Sequence, residues 1–135
     1  MKEIIFFCYG DSSNVSTWSN VPYLFTSHLE KKNIRIRRVD LNCNKYLYAI
    51  YNRLISPIIN VFYPNHVYTF SRTPLFKYLT NKKIKQNLNK YPNADYCIFT
   101  CFDFYNKYNS TPSLLFCDWT YDILILDRLQ RKPYW

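Results

Sequence analysis

Three short stretches carry polar and aromatic side chains that could meet a ligand. The first runs from Tyr9-Gly10-Asp11-Ser12-Ser13 to Thr17-Trp18 and offers a carboxylate, several hydroxyls and an indole. The second holds Asp103, Tyr105 and Asn106. The third, Asp118-Trp119-Thr120, sets a carboxylate, an aromatic face and a hydroxyl side by side, a set suited to sugars. Each has a plainer reading. Gly10 is the only glycine, and it suits a tight turn as well as a ligand lying close to the backbone. Asp118 can serve as a turn or cap carboxylate. If Asp11 faced Asp118, the two would form a like-charged pair with one raised pKa.

Several other chemistries are excluded. A dinucleotide fingerprint needs three glycines, and a P-loop needs Gly-Lys-Ser/Thr; neither is present. The five cysteines, Cys8, Cys43, Cys97, Cys101 and Cys117, are odd in number. Cys97 and Cys101 stand too far apart for a redox pair, and His28 and His66 are isolated, so no zinc pattern forms. The cysteines therefore read as reduced thiols, most of them small core hydrophobes. Neither a metal nor a cofactor is expected.

For the three stretches to act together, the elements must bring them to one edge. Ile4 to Cys8 is a continuous apolar run and reads as a strand buried on both faces. Trp18, Val21, Phe25 and Leu29 recur at helical spacing, with Ser19 or Asn20 as N-cap and Pro22 in the first turn. Ile34 to Leu41 reads as a second strand, which completes a strand-helix-strand unit. Tyr46 to about Ser56 reads as a helix broken by Pro57, with a short segment after it. Val67 to Phe70 reads as a short strand. Pro74 to Tyr91 reads as a helix with an apolar stripe of Leu75, Tyr78, Leu79, Ile84 and Leu88. Ala94–Phe102 and Ser113–Cys117 read as buried strands flanking a polar aromatic loop, and Thr120 can cap a last helix. The alternation predicts an α/β fold: one domain over residues 1–135, a doubly wound parallel sheet ordered 3-2-1-4-5. Ligands in such sheets bind beyond the strands' carboxyl ends, where strand order reverses. Gly10, Asp11, Ser12, Thr17, Trp18, Asp103, Asp118, Trp119 and Thr120 would gather there.

The charge is uneven. Eighteen Lys and Arg stand against nine Asp and Glu, a net +9. No acidic residue lies between Asp40 and Asp95, a stretch that holds Arg53, Lys77, Lys82, Lys83 and Lys85 among many Tyr and Phe. A solvated helix face explains this plainly. An anionic membrane surface suits cations beside apolar and aromatic faces. Nucleic acid fits less well, because no recognisable RNA- or DNA-binding module is present. Leu54 to Ser71 has about the length of a membrane span, but Pro57, Pro64, Asn60, Asn65 and His66 argue against a spanning helix. Met1 leads directly into a strand with no signal peptide, so the expected location is cytoplasmic, at most peripheral to the inner membrane face.

Tyr9-Gly10-Asp11-Ser12, then Ser16-Thr17-Trp18-Ser19-Asn20-Val21-Pro22-Tyr23, Leu29-Glu30-Lys31-Lys32 and Val39-Asp40-Leu41, resemble the amino-terminal half of GT-B glycosyltransferases of the family-4 type. Pro92-Asn93-Ala94-Asp95 resembles that family's strand before the acceptor loop, and Pro112 to Thr120 its next strand and loop. The resemblance implies a Rossmann-like domain that binds the acceptor, a sugar or lipid-linked glycan, across a cleft from a second domain. That second, carboxyl-terminal domain would hold the nucleotide-sugar donor through a basic pair and a Glu-rich motif. The resemblance does not extend to it, so this chain alone is expected to be inactive. Gly10 to Trp18 would border the cleft. Asp118 matches the family's residue near the transferring sugar, where a carboxylate can stabilise an oxocarbenium-like state or orient the acceptor hydroxyl. The implied setting is cell-surface polysaccharide or glycan synthesis. The alternative reading is a flavodoxin-like, non-catalytic module that docks on an anionic membrane surface or a protein.

Overall fold

Strand β1, Glu3–Cys8, lies at the centre of a four-stranded parallel sheet. In a computed structural model, residues 1–62 and 70–116 are described, with Trp18 and Ser19 described only in their backbone. The remaining elements are helix α1 (Val21–Lys31), strand β2 (Arg35–Asp40), helix α2 (Lys45–Ile50), a π-helical turn (Tyr51–Ile55), helix α3 (Ser56–Phe62), helix α4 (Pro74–Lys90), strand β3 (Tyr96–Phe99) and strand β4 (Ser113–Leu115). The order across the sheet is β2-β1-β3-β4, and every pairing is parallel.

The period-2 alternation of strand side chains explains why β1 is apolar throughout. Ile4, Phe6 and Cys8 face one side, where Ile36, Ile98 and the α1 residues Phe25 and Leu29 pack. Ile5 and Phe7 face the other, against Val39, Phe99 and the α4 residues Phe76, Ile84 and Leu88. Phe7 stacks on Phe99 with centroids 4.7 Å apart. The sheet thus carries a helix layer on each face. The same division accounts for the mixed phase of β2: Ile34 and Ile36 serve the α1 side, Val39 and Leu41 the α4 side.

Several expectations need correction. Asn20 occupies the N-cap position of α1 but sits in the left-handed region (φ 61°) and makes no side-chain cap bond. The buried line of α4 is Phe76, Thr80, Ile84 and Leu88, whereas Leu75 and Tyr78 are exposed. Pro57 does not break the helix. It falls in the first turn of α3, where a missing N–H is tolerated, just after the π turn in which Ser56 N–H bonds the Tyr51 carbonyl. Strand β4 is exposed along Ser113–Leu115 rather than buried, and among the described residues it is the outermost strand on its side. Phe70 opens a 3-10 turn rather than closing a strand. The rest of the expected strand at Val67, and the last helix, lie outside the described residues.

Cys8, Cys97 and Cys101 are buried and Cys43 is half-buried, all with free thiols; Cys117 lies outside the described residues.

Candidate functional site

The chain passes from β1 to β2 on one side, then crosses to β3 on the other, so strand order reverses between β1 and β3. The loops after these two strands meet through Tyr9. Its ring lies 6.5 Å from Phe104, edge-on, and 6.1 Å from Phe76 of α4. Burial, with Cys101 and Asp103 nearby, holds the Tyr9 hydroxyl well above its ordinary pKa, so Tyr9 stays neutral.

The first loop is occupied with its own folding. Gly10 has φ +95°, a conformation L side chains rarely adopt, and a Cβ there would stand 2.8 Å from Thr17 Cγ2. Its N–H donates to Asp40 Oδ1 at 2.8 Å, so this amide is already spent. Asp40 Oδ1 also accepts from Asn42 N–H at 2.7 Å, tying the ends of β1 and β2 together. Asp11 Oδ1 accepts from the amide and the hydroxyl of Ser13, which hold its carboxyl below the usual carboxylate range. Thr17 Oγ1 donates to the Asp11 carbonyl at 2.6 Å. Ser12 is buried, 1% exposed, with the Cys8 thiol beside its hydroxyl. Trp18 lies in the 3-10 turn Thr17–Asn20.

The turn reading of Gly10 therefore accounts for that residue by itself. Asp118, Trp119 and Thr120 lie outside the described residues, so the expected pairing of Asp11 with Asp118 is not placed. At Asp11 itself the two Ser13 donors lower the pKa.

The second loop offers an open site. Asp103, Phe104, Tyr105 and Lys107 join Lys77 and Asn81 of α4 around a pocket of about 230 Å³. An exposed aromatic ring, a carboxylate, an amide and two ammonium groups converge there, a set able to hold a hydroxylated or phosphorylated ligand. Asn106 shapes the loop: its Nδ2 donates to the Thr111 carbonyl at 2.8 Å and its Oδ1 accepts from Tyr108 N–H at 3.0 Å. Sequence reasoning had Asp103 and Tyr105 but missed Asn81 and Lys107. The four-residue step from Lys77 to Asn81 was the available signal, since it puts both on one helix face.

The other cations are dispersed. Arg53 is exposed on the π turn and Lys85 is exposed on α4. Lys83 donates to the carbonyls of Asp40 (2.6 Å) and Asn42 (2.9 Å), and with Lys82 it borders a separate 340 Å³ opening beside Cys43 and Thr80. Among the described residues no group of three or more His, Cys, Asp or Glu could hold a metal ion. No helix among them is long and apolar enough to cross a membrane.

No family model, curated protein or solved structure matches this chain.

Proposed function

We propose that this chain is the acceptor-side, Rossmann-like domain of a GT-B-type glycosyltransferase, working with a second domain that holds a nucleotide-sugar donor. The observation that carries the reading is the reversal of strand order between β1 and β3. It sets the loop that resembles the family, Gly10 to Trp18, beside the loop of Asp103 at the sheet's carboxyl edge. Ligands of open α/β sheets bind in that crevice.

In this reading the acceptor lies over the Asp103 pocket. Asp103 accepts a hydrogen bond from a sugar hydroxyl, and the Tyr105 ring covers an apolar sugar face. Lys77 and Lys107 suit a phosphate, as a lipid-linked acceptor would carry. Asp11 is a weak base, because the Ser13 amide and hydroxyl on its Oδ1 hold its pKa down. Asp118 keeps the role that the resemblance implies, beside the sugar being transferred.

The test is an NMR titration of the isotopically labelled chain with short oligosaccharides, then with nucleotide sugars. Glycans are expected to shift resonances at Asp103–Lys107 and in the Gly10–Trp18 loop. Asp103→Asn is expected to weaken that binding about tenfold, the worth of a hydrogen bond to a charged group. Nucleotide sugars are expected to bind only weakly, through their phosphates at Lys77 and Lys107. Tight binding of a nucleotide sugar, or sugar transfer by these residues alone, would overturn the assignment.

A further inference from the structure

The segment Lys45–Phe62 is helical throughout, and among the described residues its contacts with the main core come from its first half. Leu47 and Tyr48 lean on the main core, and Tyr51, 7% exposed, meets Phe70. Nothing in α3 is buried. On the other side Tyr46, Ile50, Leu54, Ile58 and Phe62 follow at four-residue intervals, with exposures from 51% to 73%. Val61 beside them is 77% exposed.

The π turn helps to keep these residues in line. Each step of four residues along an α-helix rotates by about 40°, so a long series winds away from its starting face. A π turn takes one more residue per hydrogen-bonded turn and draws the line back.

An apolar stripe of this length on a protein surface marks an interaction site. Its charge selects among partners. Lys45 and Arg53 are the only charged residues of the segment, and no acidic residue lies between Asp40 and Asp95. Two copies meeting symmetrically through this helix would bring cations together with nothing in the segment to offset them. Lipid phosphates supply the missing negative charge, and the acyl region accepts the stripe.

We propose that Lys45–Phe62 lies in the plane of an anionic bilayer. Ile50, Leu54, Ile58, Val61 and Phe62 enter the acyl boundary, and Lys45 and Arg53 sit against lipid phosphates. This contact stands apart from the sugar-transfer reading, since it uses none of the residues around Asp103.

The full chain is to be sedimented with vesicles of phosphatidylcholine, with and without phosphatidylglycerol. Hydrogen exchange is followed in parallel. Binding is expected to the anionic vesicles and much more weakly to the neutral ones, with slowed exchange within Lys45–Phe62. The variant Leu54→Asp/Ile58→Asp is expected to lose about tenfold per side chain. Both residues are exposed, so its circular dichroism should match the parent's. Three outcomes overturn the proposal. One is no sedimentation with the anionic vesicles. Another is binding that the double variant retains or that ignores lipid charge. The third is a dimer in sedimentation equilibrium that the double variant dissociates, which would give the stripe to a second copy.

Discussion

Gly10 shows how a single residue can be required by its turn alone. Its φ of +95° and the 2.8 Å approach of a hypothetical Cβ to Thr17 Cγ2 are separate obstacles to any side chain. Gly10→Ala is expected to cost about 1–3 kcal/mol, read by urea unfolding. Adding Thr17→Ser removes the crowding methyl and keeps the hydroxyl that bonds the Asp11 carbonyl. The pair should therefore recover part of the loss. No recovery would mean that backbone conformation alone sets the requirement. This much was legible, since one glycine after a buried strand announces a turn. The role of Asp40 was not, because its partner Gly10 is 30 positions away and the bond exists only once β1 and β2 pair. Asn20 was legible as the N-cap position of α1, but not the backbone conformation it takes there. Asparagine favours both N-caps and left-handed backbone, and the chain uses it for the second.

For the elements, α4 gives the sharpest contrast between pattern and packing. Its first turns carry Leu75, Phe76, Tyr78 and Leu79, apolar on nearly every side, so periodicity does not single out the inner face. Aromatic partners from elsewhere do. Phe76 meets Phe70 at 5.7 Å and Phe104 at 6.4 Å, which turns Thr80, Ile84 and Leu88 inward. Thr80 hid the stripe because a hydroxyl counts as polar in any such pattern. Ile84→Ala should therefore cost about 2–5 kcal/mol, while Leu75→Ala should stay within about 0.5 kcal/mol. Chemical denaturation of both variants checks this, and similar losses would put the helix in a different rotation. The strands were more legible. Continuous apolar runs at β1 and β3 mark central strands of a parallel sheet, and the observed order β2-β1-β3-β4 keeps the expected neighbours of β1. Edge position is harder to read. Leu114 and Leu115 are as apolar as inner-strand residues, yet both are exposed, and among the described residues β4 has a neighbouring strand on one side alone.

Taken as a whole molecule, the chain has stability bounded by groups of opposite kind. On the acid side, Arg38 lowers the Glu30 pKa through a paired hydrogen bond, and Ser13 lowers that of Asp11. Both groups ionise more readily when folded. Their contribution is present above the unfolded pKa and fades as pH falls through the folded one. Asp11 and Glu30 are exposed or nearly so, which makes this limb shallow. On the alkaline side, burial pushes the Cys8 thiol up to about 11 and the Cys101 thiol up to about 12, from an ordinary 9.0. Cys43 and Cys97 move the same way. The unfolded chain releases these protons near pH 9 while the folded chain keeps them, so stability must fall as pH climbs from there. Each unit of difference is worth about 1.4 kcal/mol, enough to make the alkaline limb the steeper one. Thermal unfolding between pH 8 and pH 10 tests this with the parent and a Cys8→Ala/Cys101→Ala variant. The variant starts lower because it loses core packing, but its midpoint should fall less with pH. Both proteins carry the same tyrosines, Tyr9 included, so the difference in slope belongs to the two thiols. Parallel loss in both proteins would place the alkaline limb elsewhere.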